Sequence, residues 1–201
     1  MIKLRNTLIA VIAITSLSML SVTSSFAGTL GIGVAGSVAN IAASGTESDR
    51  DGGADTSGRT ATASNNAYIG SLFLEYNFNN GMTFGVDYIP GKADVSSSKL
   101  TRLDVAGLAN RDDTDHNKTR TAQASIEKHL TYYAEVPLGG AGFYVKGGFT
   151  TMDINTNETP AKYGSTDTDG LMFGAGFKQE MTSNTFYKLE GTHTEFDTIT
   201  I

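Results

Sequence analysis

The chain has 201 residues, with 15 Lys and Arg against 21 Asp and Glu, a net charge of −6, and neither cysteine nor tryptophan. So acidic a chain offers no basic stripe to neutralise phosphates, which argues against nucleic acid as a partner; without cysteine there is no disulfide framework and no thiolate metal site. Twenty-three glycines and few helix-type runs point to β structure instead.

Residues 1–27 read as a secretory signal peptide. Lys3 and Arg5 make a basic start, residues 8–20 an apolar run, and Ser25-Phe26-Ala27 a small-x-small site for cleavage after Ala27. Thr15, Ser16 and Ser18 interrupt the run, which is shorter than the ~20 residues of a spanning helix. Its removal takes two basic residues and no acid, leaving a net charge near −8 on residues 28–201, enough for one domain. No later apolar run reaches the length of a spanning helix, so any membrane must be crossed by strands.

Strict alternation then predicts seven strands, at 29–42, 67–78, 82–89, 121–138, 143–152, 170–181 and 185–196. Short connections, marked by Asn79-Asn80-Gly81, by the glycines of 139–142 and by 182–184, alternate with long polar ones at 43–66, 91–120 and 153–169. Within the second long connection, residues 100–108 are suited to a short amphipathic turn of helix. Outer-membrane barrels alternate short and long connections in this way. The apolar parity carries Leu30, Ile32, Val34, Leu72, Leu74, Phe84, Val86, Leu130, Tyr132, Val145, Phe173, Phe177, Tyr187 and Leu189. The opposite parity carries Glu75, Asp87, Glu127, His129, Glu135, Lys146, Lys178, Glu180, Lys188 and Glu190, with Lys128 and Glu195 out of step. In a membrane barrel the first set faces lipid and the second forms a polar network in the lumen; in a soluble barrel or sandwich the first set is the core. An apolar face this rich in Tyr, Phe and Leu, with the long connections all at one end, favours the membrane barrel.

The segments LMFGAGFKQEMTSNTFYKLEGTHTEFD, FGVDYIPG and GFYVKGGF resemble the strands and hairpins of small eight-stranded outer-membrane β-barrels, the superfamily that includes the membrane domain of OmpA and its porin-like relatives. The resemblance covers residues 67–89 and 121–196 and leaves out the connections. It implies an all-β, antiparallel up-and-down transmembrane β-barrel in the outer membrane of a Gram-negative cell, with eight strands expected and about seven present. It also implies a closing aromatic residue, whereas this chain ends in Thr200 and Ile201. The sequence therefore reads as a fragment with 28–201 as the barrel domain. The implied role is a non-enzymatic scaffold whose loops 43–66, 91–120 and 153–169 meet extracellular partners, or a narrow porin. The alternative is a soluble secreted β-barrel with an apolar ligand inside.

Catalytic and metal chemistry find little support. His116 beside Asp115 is a conceivable base for a rim-site hydrolase, but Asp112, Asp113 and Asp115 read more simply as a solvated acidic run. Ser125 and His129 are four residues apart on one strand, roughly 13 Å, too far for a nucleophile and its base. His193 falls on the lipid parity near the rim. Asp49, Asp51 and Asp55 lack the closing Glu of a calcium loop, and neither Gly31-x-Gly33 nor Gly52-Gly53 leads into a helix that would hold a phosphate. No cofactor is expected.

Overall fold

The computed structural model describes residues 2–5, 12–17, 21–23, 28–51, 54–95, 99–103, 119–159, 164–182 and 185–200. Their regular structure is all β-strand, with no helix among them. Eight strands are β1 (Ile12–Leu17), β2 (Gly28–Asp51), β3 (Ala54–Phe78), β4 (Thr83–Asp94), β5 (Thr119–Pro137), β6 (Phe143–Thr159), β7 (Gly164–Thr182) and β8 (Thr185–Phe196). Each pairs antiparallel with the next, and β8 returns to β1, so the sheet closes on itself as an up-and-down barrel. Closure removes the sheet edges that a lipid environment cannot satisfy. The seven strands expected from alternation are β2 to β8. The eighth place is taken by β1, inside the stretch read as a leader, with Leu17 opposite Tyr187 on one side and Val34 on the other.

Two of the expected long loops are largely strand. The β2–β3 ladder runs from Gly28–Phe78 out to Asp51–Ala54, and the β6–β7 ladder reaches Thr156–Gly164. Alternation of apolar residues could not reveal these extensions, because pairs such as Ser44–Thr62 and Thr46–Thr60 are polar. Their backbone ladder and β-branched threonines suffice to hold the pleat. Leu100–Leu103, at the start of the stretch suited to a short turn of helix, is a strand paired with the start of β5. Residues 104–118 lie outside the described part, and His116 and Asp115 with them. At the opposite end the turns are tight: Gly81 at φ +85° lets Phe78 N–H donate to Met82 O at 2.8 Å, and Gly139 and Gly142 at φ +72° and +84° reverse the chain between β5 and β6.

The outer face carries an apolar belt. Leu30, Ile32, Val34, Leu72, Leu74, Phe84, Tyr132, Val145, Phe173 and Leu189 are exposed, and Val86, Leu130, Phe177 and Tyr187 share their parity with partial exposure. On β2 the belt spans residues 30–38, about the 9–11 residues a tilted strand needs to cross hydrocarbon. Phe78 with Phe84 and Phe143 with Phe177 make ring contacts near the tight turns. Beyond the belt, towards the long connections, the outer face turns polar at Asn40, Asn66, Lys92 and Asp153.

The interior changes character at the same level, and a phase shift makes this possible. In β4 the register slips at Pro90-Gly91, with Gly91 at φ +92°; in β5 it slips around Lys128, at φ +51°. On the turn side of the shift Thr131, Tyr133 and Glu135 point inward; on the far side Ile126 does. Ile126 therefore joins Ala39, Ile41, Val95, Met152, Ile154 and Phe196 in a buried apolar cluster inside the barrel. Near the turns the wall is apolar outside and polar inside, whereas at the far end this order is reversed.

Candidate functional site

Among the described residues, the lumen near the tight turns holds a dense concentration of charge. Strands β3, β5 and β8 each contribute inward residues, Glu75, Glu135, and Lys188 with Glu190; β6 and β7 supply Lys146 and Lys178. Lys188 Nζ donates to Glu135 at 2.7 and 2.9 Å and to Glu75. Lys146 Nζ donates to both oxygens of Glu190, at 3.1 and 2.9 Å, and lies 3.7 Å from Glu135. Lys178 Nζ donates to Asn77 Oδ1 at 2.6 Å and lies 3.7 Å from Glu75. Three carboxylates and three ammonium groups thus neutralise one another behind a greasy wall, as buried charge requires.

Aromatic side chains complete this layer. Tyr133 O–H donates to Glu75 at 2.8 Å and Tyr144 O–H donates to Glu190, while Lys146 Nζ sits 3.7 Å from the Tyr133 ring centroid and Lys178 Nζ 4.2 Å from that of Phe186. The tyrosines can lie flat because each faces glycine across the ladder. Tyr133 stands opposite Gly85, and Tyr144 opposite Gly176. A Cβ on either glycine would collide with the ring. Above this layer Ser71 Oγ donates to Asp87 at 2.9 Å, and the Thr131 and Thr150 hydroxyls share a hydrogen bond at 3.0 Å.

The ten residues assigned to the lumen by parity are placed as follows. Glu75, Glu135, Lys146, Lys178, Lys188 and Glu190 meet in one network. Asp87 is held apart by Ser71. His129 sits higher, with its ring 6.5 Å from that of Phe196. Glu180 keeps the inward parity but is exposed at the rim, two residues beyond Lys178. Glu127 is a correction: it stands in register with Lys92 and Asp153 and on the face opposite Ile126, which puts it on the outer wall. The phase shift at Lys128 is the cause, since parity counted through a bulge reverses beyond it. Lys128, out of step in the sequence, is the residue at that bulge and pairs with Asp153 at 2.6 Å. It was the available signal. Tyr133 and Tyr144, parity-matched to the charges, belong to the network that the charges alone outlined.

No nucleophile and base converge among the described residues. Ser125 Oγ is buried without a hydrogen-bond partner, and the bulge separates it from His129. His193 contacts the Phe173 ring and lies 3.5 Å from Glu195. Among the described residues no three His, Asp or Glu side chains cluster in a way that would hold a metal ion. The interior is lined by a mutually ion-paired layer near the turns and an apolar cluster above it, with Glu75 Oε2 and His129 Nδ1 buried without hydrogen-bond partners.

Residues 9–200 match a family model described as outer membrane protein beta-barrel domain. No curated protein and no solved structure matches the chain.

Proposed function

The chain belongs to the outer-membrane β-barrel family, and from that premise we propose that it is a closed, non-enzymatic membrane scaffold that carries extended β-hairpins above the lipid. The observation that supports this most is the lumen. Small barrels have an interior just wide enough to be filled by side chains, and here residues from β2 to β8 supply one layer locked by reciprocal ion pairs and a next one that is apolar. Ions crossing it would have to break Lys188 from Glu75 and Glu135 and then shed water among Ile41, Ile126 and Met152. The hairpins β2–β3 and β6–β7, with the connection between β4 and β5, are the surface offered to partners outside the cell.

Export begins with residues 1–27 as a signal peptide cleaved after Ala27. In that case the facing edges of β8 and β2 must find each other or another strand, because an unpaired edge does not survive in hydrocarbon. Mass spectrometry of the protein taken from outer membranes reads this directly: Gly28 as the first residue is expected, and Met1 would mean that β1 stays in the wall.

The scaffold reading is tested by reconstituting the full chain in planar bilayers. Expected is a flat current trace at moderate voltage. Discrete, ion-selective steps whose selectivity changes with charge-reversing substitutions at Glu190 or Lys146 would instead make the protein a narrow porin.

A further inference from the structure

The ladder between β3 and β4 stops short. It runs from Asn77–Thr83 to Leu72–Tyr88 and no further, although β3 continues paired to β2 and β4 continues paired to β5 as far as Asp94. Higher up, Asn65 Nδ2 donates to Asp94 O at 3.2 Å and ties the two strands again. Between these two closures the wall has a gap bounded by residues 66–71 of β3 and 89–92 of β4. Its position is at the upper margin of the apolar belt: Leu72 and Tyr88 are exposed just below it, and Tyr68 beside it is 90% exposed.

On the β4 side the gap is shaped around a proline. Pro90 has no N–H to leave unpaired, which is how sheet edges accommodate proline. Gly91 turns the strand at φ +92°, and a Cβ at Gly70 or at Gly91 would touch nothing within 4 Å. Behind the gap lies a cavity of about 180 Å³, bordered by residues of both edges and reaching in to His129, Met152, Met172 and Phe196. Its roof is apolar and its floor is the polar layer of Thr131 and Asp87, reaching down to Tyr133 and the Lys146–Glu190 pair. His129 Nδ1 is buried there without a hydrogen-bond partner.

We propose that this cavity is a binding site, entered sideways through the β3–β4 gap, for a small amphipathic molecule with a ring-sized or short alkyl body and one hydrogen-bonding group. The size argument is direct, since an apolar cavity of ~150 Å³ is known to hold a benzene ring. Met152, Met172 and Phe196 give the body an adaptable, polarisable lining, and the ligand's hydroxyl meets the free nitrogen of His129. Entry at the membrane interface suits a molecule that partitions there. The site goes beyond the scaffold reading and is independent of conductance, because neither the ion-paired layer nor the apolar cluster needs to open.

The absence of tryptophan from the chain provides the assay. Phe196→Trp, a conservative change in the cavity wall, is placed in the full chain in phosphatidylcholine nanodiscs and titrated with 4-bromophenol, whose heavy atom quenches indole fluorescence on contact. Saturable quenching is expected. Gly70→Phe at the gap and Ser37→Leu inside the cavity should each weaken it by about tenfold, which corresponds to ~1.4 kcal/mol. A heat-dependent shift in gel migration verifies that each variant remains a folded barrel, and two variants acting at different places guard against the loss of either one. Quenching that rises linearly with the phenol and is equal in all three proteins would reflect partition into lipid alone and overturn the site.

Discussion

Among single residues, Lys188 is the one on which most others depend. It is buried between Glu75 and Glu135, and its removal leaves two carboxylates facing each other away from water. Lys188→Met should therefore destabilise the barrel by ~3–5 kcal/mol, the usual cost of orphaning a buried charge, read as a lower urea midpoint in vesicles. Adding Glu75→Gln and Glu135→Gln to that variant should recover most of the loss, because neutral partners no longer need the ammonium. If the triple variant were as weak as the single one, packing and not charge would explain the effect. The charges of this network could be read from parity alone, since six of ten lumen assignments converge on it. Glu180 could not be placed, because alternation gives a residue's face but not its depth. Glu127 was misplaced because parity counted through the left-handed residue Lys128 reverses beyond it, a break that Lys128's own wrong parity marked.

At the scale of the strand, that same residue divides the wall into two zones. Lys128 adopts φ +51°, a conformation uncommon outside glycine, and the bulge it forms re-aims everything before it in β5. Deleting Lys128 would restore unbroken alternation and carry Ile126 out of the apolar cluster while turning Glu127 into it. Loss of the folded, heat-shifted band is expected. Lys128→Gly, by contrast, keeps the bulge in a backbone that glycine adopts freely and sacrifices only an exposed ion pair worth ~0–1 kcal/mol, so its stability should stay within about 1 kcal/mol of the parent. Equal behaviour of the two variants would mean that the phase shift is unimportant. The strands within the belt were legible because lipid outside and charge inside write a strong alternation. The extensions of β2, β3, β6 and β7 were not, because outside lipid a hairpin needs only paired backbone and tolerant side chains, and Ser, Thr and Asn spell that no differently from a loop.

For the molecule as a whole, the reversal of polarity fixes a boundary. Single cysteines at Val38 and Asn40, two positions apart on the outer face of β2, should carry spin labels that report lipid and water respectively in bilayers. Identical readings would place the belt elsewhere. This boundary sets the gap between β3 and β4 at the interface and the apolar cluster above it, so that the far end of the barrel resembles a soluble β-barrel mounted on a membrane one. The ring also has a history written in its pairings. Once the leader is removed, six of its junctions, β2–β3 to β7–β8, join strands that follow one another along the chain and can zip from their turns soon after those segments meet. What remains is the meeting of the free margins of β2 and β8, at opposite ends of the mature chain, and its loop-closure entropy must be met before any pairing there stabilises anything. The sheet therefore exists first as an open ribbon with two bare margins, and its arrival in the bilayer and the joining of those margins have to be one event.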